Sequence, residues 1–512
     1  MPMRTNPPQR PPSLPPLAAK IAQHIQHPTP PPSAVSSFPI CASANRRWLL
    51  ITAILASALG FIDGSVVAIA LPAMRADLGA TLSQAQWISN AYMLTLSALI
   101  LVGGAFGDRF GLARVFGGGI ALFVVASVFC AIAPSAEFLI IARLILGMGA
   151  AFMVPGSLAL IARAYPAEER GAAIGTWAAA SAVTTAAGPI IGGVLLTFGS
   201  DSVWRWIFAV NLPLGGLALW LLVRHVTQDP SQSKTGLDLP GAALATLGLG
   251  AMAWALTGAE HGEGPSLWLA ALGAAAISLF LWVEARSPCP MLPLSLFTNR
   301  AFAAANGITF TIYFALSTIL FFLPMTVIST WGVTAIGAAA AFVPLSVFIG
   351  LFSARIGRLE PRFGAGPLIA AGCALLTVAY GAMAVTAPAM AFWTFTFPAC
   401  IAMGAGMALI VTPLSTTIMA AVPSRSTGTA SGVNNAVSRS AGLLAVAAMG
   451  SLAALSYASF GGALSFGAAD GTTAHAVATT RSFAVLCGVA AILAALSSIA
   501  ALLYLPRATQ PA

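Results

Sequence analysis

From Trp48 onward the chain alternates apolar runs of about 17–28 residues with short polar breaks. A helix rising about 1.5 Å per residue needs about 20 apolar residues to cross the hydrocarbon core of a bilayer. Runs of that length fall at 48–71, 85–106, 115–133, 138–161, 172–198, 207–226 and 240–257. They continue at 267–283, 302–328, 333–352, 368–385, 390–413, 428–455 and 483–505. The pattern therefore predicts fourteen membrane-spanning helices, the eighth short and the thirteenth opening on the rather polar 428–438. Residues 1–45 differ: PPQRPPSLPPL and HPTPPPS are too rich in proline for a helix, which predicts a disordered tail. That tail lacks the charged-then-apolar order of a secretory signal.

Composition agrees with the pattern. Only 7% of the residues are charged and 58% are hydrophobic, with a mean hydropathy of +0.90. A soluble domain carries about 25% charged residues, so this chain cannot build a water-facing shell. The net charge of +9 and a pI near 9.7 suggest nucleic acid until the charges are located. With the N-terminus cytoplasmic, 18 basic residues fall on the inside and three (Arg75, Arg205, Arg481) on the outside. Arg143 and Arg439 remain in the membrane. That asymmetry is the positive-inside rule, and an even number of spans returns the C-terminus to the cytoplasm. The charge is thus a topology signal for a multi-pass protein of the cell (inner) membrane, with no nucleic-acid partner expected.

Metal chemistry is not expected either. The six cysteines are far apart, without a CxxC pair, and suit small apolar positions in helices. The five histidines fall in the tail (His24, His27) or between the predicted spans (His225, His261, His475).

A short repeat marks two equivalent loops. Gly107-Asp-Arg-Phe-Gly111 follows the second span, and Arg362-Phe-Gly364 follows the tenth. Both loops close the second helix of a six-helix half if spans seven and eight are an insertion, as in transporters built from related halves. The domains predicted are the tail, 1–45; a six-helix bundle, 46–226; two inserted helices with linkers, 227–300; and a second six-helix bundle, 301–512.

The segment Gly104-Ala-Phe-Gly-Asp-Arg-Phe-Gly-Leu-Ala-Arg114 resembles the loop signature of the major facilitator superfamily. Ile62-Asp-Gly-Ser-Val-Val-Ala-Ile-Ala-Leu-Pro72, Arg143-Leu-Ile-Leu-Gly-Met-Gly-Ala-Ala151, Gly188-Pro-Ile-Ile-Gly-Gly193 and Trp204-Arg-Trp-Ile-Phe-Ala-Val-Asn-Leu-Pro213 are similar to its fourteen-span drug:proton antiporter branch. The likeness extends from Trp48 to Leu505. Departures lie at Ser65 and Ala68, where the family often has Thr and Asn, at Leu146 (often Gln), at Leu112-Ala113 (often a basic pair) and at Thr184 (often Gly). The resemblance implies an all-α polytopic fold of two six-helix bundles plus two extra helices, about fourteen spans in all. It also implies export by alternating access, powered by the proton gradient with no other cofactor.

Each motif has a physical reading. Gly104, Gly107, Asp108, Arg109, Gly111 and Arg114 gather charge at adjacent helix ends, where Asp108 can latch a neighbouring helix N-terminus or serve only as an anchor. Gly188 and Gly192 lie four apart on one face and permit close helix approach, while Pro189 removes a backbone bond and invites a bend. By resemblance these residues, with Gly193, are the antiporter motif; a plain packing seam is the other reading.

The buried charges carry the chemistry. Among 14 acidic residues only Asp63 lies deep in a predicted span, and intramembrane charges cost at least about 2.5–3.5 kcal/mol at mid-bilayer. Asp63 is eight residues, roughly 12 Å, from the outer end of its run, and Arg143 five residues, roughly 7–8 Å, from its own. Loss of water favours a neutral carboxyl and a nearby guanidinium favours the charged one, so the two form a candidate proton-coupling pair. A structural ion pair is the alternative. Arg439 either lines the cavity or snorkels to the cytoplasmic edge. Asn90, Tyr92, Asn306, Tyr313, Asn434 and Asn435 are further cavity candidates. Trp87 and Trp331 fit the interfacial belt.

The expected activity is proton-driven efflux of lipophilic drugs or toxic metabolites, cationic or neutral, across the lipid bilayer. The alternative is an exporter or symporter of one metabolite within the same superfamily. An enzyme is not expected, because catalysis needs grouped residues that are missing here. The sequence names neither the substrate nor an adaptor or outer-membrane partner.

Overall fold

A computed structural model describes residues 41–506, apart from 200, 228–237, 258–265, 289, 424–425 and 469. It has fourteen helices long and apolar enough to cross a membrane, and no strand among the described residues. Their main segments are α1 (Arg46–Leu78), α2 (Leu82–Phe110), α3 (Leu112–Ala131), α4 (Ala136–Ala164), α5 (Ala167–Phe198), α6 (Asn211–His225, continuing the short helix Arg205–Ala209 within the span Ser202–His225) and α7 (Leu239–Thr257). The others are α8 (Leu267–Glu284), α9 (Arg300–Thr330), α10 (Val343–Phe363), α11 (Ala365–Thr386), α12 (Phe397–Ala420), α13 (Thr427–Ser459) and α14 (Thr473–Tyr504). The predicted tail overruns slightly, since a 3-10 turn at Ser43–Asn45 leads straight into α1. The rest of that tail, with Lys234, Glu260, His261, Cys289, Arg425 and Arg507, lies outside the described residues.

The helices outrun the apolar pattern. α1 continues to Leu78 and stops at Gly79, whose φ of +60° few other residues adopt without strain. α10 runs to Phe363, and α14 begins at Thr473, ten residues before the predicted span. These extensions carry Arg75, Arg355, Arg358, Arg362 and Arg481. Arginine ends a hydropathy run without ending a helix, because it is a good helix former. His475, expected between spans, therefore lies in the first turn of α14, and His225 is the last residue of α6.

α1 packs against α4, α5 and α6, and α2 and α3 both pack on α4. α9 packs on α13 and α14, α11 on α12 and α14, and α10 on α12. These are two six-helix bundles. The two extra helices pair with each other, and α7 also touches α2 and α13 where the bundles meet. The bundles join along α2 and α13, at α1 and α9, and where α5 meets α10 and the short helix Ala335–Ala339 that precedes it. The repeated tripeptide has a structural counterpart. Gly111 (φ +98°) alone joins α2 to α3, and Gly364 (φ +82°) alone joins α10 to α11. Each donates its N–H to the carbonyl four residues back, on Gly107 and Glu360.

Candidate functional site in the bundle interior

Asp63 and Arg143 meet. Arg143 Nη1 donates to Asp63 Oδ2 at 2.5 Å, and both side chains are almost wholly buried. Arg143 is held from three further directions. Its Nε donates to the Ile88 carbonyl at 2.9 Å, and its guanidinium lies 4.6 Å from the Tyr92 ring centre and 5.8 Å from that of Phe208. Asp63 Oδ1 is buried with no hydrogen-bond partner among the described residues. The depth expected for Asp63 is corrected: α1 continues to Leu78, which puts Asp63 fifteen residues, roughly 22 Å, from that end and near the middle of the helix.

The glycines of α5 pack directly on this layer. A Cβ on Gly188 would meet Ser65 Oγ and lie 3.1 Å from the Ile62 carbonyl oxygen, and one on Gly192 would meet the Val66 side chain. The face built by the four-residue spacing is therefore pressed on the turn of α1 that carries Asp63. Gly193 faces elsewhere. A Cβ there would come within 2.8 Å of Ile336 Cα in the short helix before α10, so Gly193 lies at the contact between bundles. Pro189 sits inside α5, which stays helical from Ala167 to Phe198.

At the basic end of the bundle, Asp108 pairs with Arg163 of α4 at 3.0 Å, both partly exposed. The sequence suggested a helix N-terminus as its partner; the side chain the structure supplies is a guanidinium. Gly107 leaves only 3.1 Å between an added Cβ and Leu112, Gly111 makes the left-handed turn, and the space beside Gly104 is open. Arg109 lies in the last turn of α2 and Arg114 in the first turn of α3.

The polar cavity candidates divide. Asn434 Nδ2 donates to Thr309 Oγ1 at 2.8 Å and to Asn306 Oδ1 at 3.4 Å, tying α13 to α9 inside one bundle. Asn435 is exposed and donates to its own helix at Ser431. Asn90 is fully buried, and neither polar atom of its amide has a partner. Tyr92 carries Arg143 on its ring, while Arg439 lies close enough to interact electrostatically with the hydroxyls of both Tyr92 and Tyr313. Arg439 is twelve residues into α13, roughly 18 Å along its axis, too deep for the reading that it merely snorkels out. Trp87 packs against Trp254 of α7, ring centres 5.4 Å apart and planes tilted by 53°, and so helps seat the extra helices.

Three features escaped the sequence. Arg75, which the hydropathy pattern leaves outside the first span, is buried near the far end of α1 and donates to the Phe466 carbonyl and Ser465 Oγ, each at 2.8 Å. That clasp links α1 to the segment between α13 and α14 beside a vestibule of about 800 Å³. Gln86 reaches from α2 to the Val446 carbonyl of α13 at 2.6 Å, with no room for a side chain at Gly450. His475 Nδ1 shares a 2.6 Å hydrogen bond with the Tyr457 hydroxyl. The helix-forming run Ala73–Leu78 before Gly79 was a usable sign that Arg75 is helical; the other two partners had none.

A family model described as Major Facilitator Superfamily matches residues 53–446. The chain belongs to that superfamily. It is 32% identical over 427 residues to the "Multidrug resistance protein Stp" of Mycobacterium tuberculosis (strain CDC 1551 / Oshkosh), covering 80% of this chain and 76% of that one. It is 33% identical over 422 residues to the "Methylenomycin A resistance protein" of Bacillus subtilis (strain 168), covering 81% and 90%. The solved D-xylose-proton symporter superposes with a TM-score of 0.63 over 90% of this chain and 98% of its own, at 16% identity, a likeness of fold. In this major facilitator chain the ring of Tyr92 packs on Arg143, and Arg439 stands within electrostatic reach of its hydroxyl.

Proposed function

We propose that the chain is a proton-driven exporter of lipophilic small molecules in the cell membrane. Its basic end faces the cytoplasm, both termini lie there, and the proton gradient supplies the energy with no cofactor. The observation that carries this reading is Asp63, a buried carboxyl with one oxygen bound to Arg143 and the other unpartnered. Such a group can hold a proton in one state and release it when the guanidinium engages in another, which gives two conformations with different proton affinity. Its place against the Gly188–Gly192 face couples that exchange to the packing of α5 on α1. The contacts of Arg75 with Phe466 and of Gly193 with Ile336 close the end away from the basic loops, which supports an inward-facing state. The two resistance proteins named above support a drug or toxic metabolite as cargo. Uptake of cationic rhodamine 6G, neutral Nile red and anionic fluorescein into inverted vesicles tests the reading. Accumulation of at least one dye should require an acidic lumen and vanish with nigericin; accumulation indifferent to the gradient, or none at all, would refute it.

A further inference from the structure

The sequence leads to an expectation of cationic or neutral cargo. The structure changes the charge balance of the interior. Asp63 is taken by Arg143, and the two together are neutral. Arg439, on α13, has no hydrogen-bond or ion-pair partner among the described residues, yet its side chain is not fully buried. α13 packs on both α2 and α9: Gln86 meets Val446 and Leu101 meets Gly432 on one side, and Thr309 meets Asn434 and Ser317 meets Gly442 on the other, so Arg439 stands level with Tyr92 and Tyr313, whose hydroxyls its charge reaches. Neither tyrosine hydroxyl has a hydrogen-bond partner among the described residues.

A buried polar atom costs free energy unless it is paired, and an unpaired guanidinium inside a membrane more so. Structures keep such groups where a ligand completes them. Here the free groups are one fixed cation and two aromatic hydroxyls that donate. All suit an acceptor bearing negative charge, and guanidinium forks match planar oxyanions. We propose that Arg439, flanked by Tyr92 and Tyr313, is the recognition point for an acidic group (carboxylate, sulfonate or ionised phenol) on an aromatic lipophilic cargo. This rests on the export reading and narrows its substrate class from lipophilic small molecules to organic anions, in place of the cations and neutral molecules expected from the sequence.

Fluorescence anisotropy of detergent-solubilised protein with fluorescein and with rhodamine 6G, two xanthene dyes of opposite charge, tests the inference. Wild-type protein should bind fluorescein at least tenfold more tightly. Arg439→Gln should weaken fluorescein at least tenfold and strengthen rhodamine 6G, while Arg439→Lys should keep most of the preference for fluorescein. Unchanged fluorescein binding in Arg439→Gln, wild-type preference for rhodamine 6G, or equal loss of both dyes in Arg439→Gln would each overturn it. The two failures are separable: gradient-driven dye uptake with no Arg439 discrimination sinks only the anion site, whereas Arg439-dependent binding without gradient-driven uptake sinks only the export reading.

Discussion

Arg143 holds one oxygen of Asp63 at 2.5 Å and leaves the other, equally buried, with no partner. The carboxyl is thus half latched and half available. Breaking a buried pair by deleting one member is strongly destabilising, by about 3–5 kcal/mol, because the survivor is left charged or must neutralise. Arg143→Ala should therefore lower the thermal stability of purified protein markedly. Asp63→Asn should cost less, since its amide oxygen still accepts the Nη1–H bond. Melting in detergent followed by tryptophan fluorescence would check the order, and an equal drop in both variants would contradict it.

The α1–α5 seam allows a controlled comparison within one helix. Gly188→Val and Gly192→Val place methyl groups onto Ser65, Ile62 and Val66, whereas a Cβ at Gly175 meets nothing within 4 Å. Overpacking of this kind costs about 1–3 kcal/mol. Export should be abolished in the first two and retained in Gly175→Val. Normal export by Gly188→Val at normal abundance would show that the seam is loose.

Asp108 and Arg163 form an ion pair with substantial exposure on the carboxylate side. Exposed pairs contribute about 0–1 kcal/mol, so Asp108→Asn should barely alter melting. If the pair is a conformational latch, the same variant should still export poorly. Vesicle transport normalised to protein abundance separates the two effects, and full activity would reduce Asp108 to a topological anchor.

Arg75 clasps the segment between α13 and α14 next to the vestibule. Arg75→Ala should shift the population toward an opening at that end. Ile69 lines the vestibule but is itself buried, so Ile69→Cys reports on the shift. Maleimide should label it several-fold faster when Arg75→Ala is added; an unchanged rate would mean the clasp does not hold that end shut.

The fold was legible because lipid demands apolar runs of a set length, and all fourteen spans announce themselves in that way. Helix ends were less legible. Arg75, Arg355 and Arg481 interrupt hydropathy, yet the backbone continues through them because helix formation depends on propensity rather than polarity. At the candidate site, Asp63 and Arg143 stood out as charges where charge is expensive, and they proved to be partners. Asn306 and Asn434, chosen by the same logic, bond to each other across two helices of one bundle. Sequence alone could not distinguish those cases, since satisfaction of a polar group depends on its neighbour. The clasp of Arg75 on Phe466 depends on a backbone carbonyl, which no residue type reveals.

The central claim is that Asp63 carries the coupling proton. It is tested most directly by Asp63→Asn in inverted vesicles, using whichever dye the wild-type protein accumulates and comparing gradient-driven uptake with dye-for-dye exchange at equal pH. Wild-type protein should do both. Asp63→Asn should lose gradient-driven accumulation entirely while still exchanging dye, because a neutral amide keeps the packing but cannot take and release a proton. Uphill accumulation by Asp63→Asn at the wild-type rate would contradict the account and place the coupling group elsewhere.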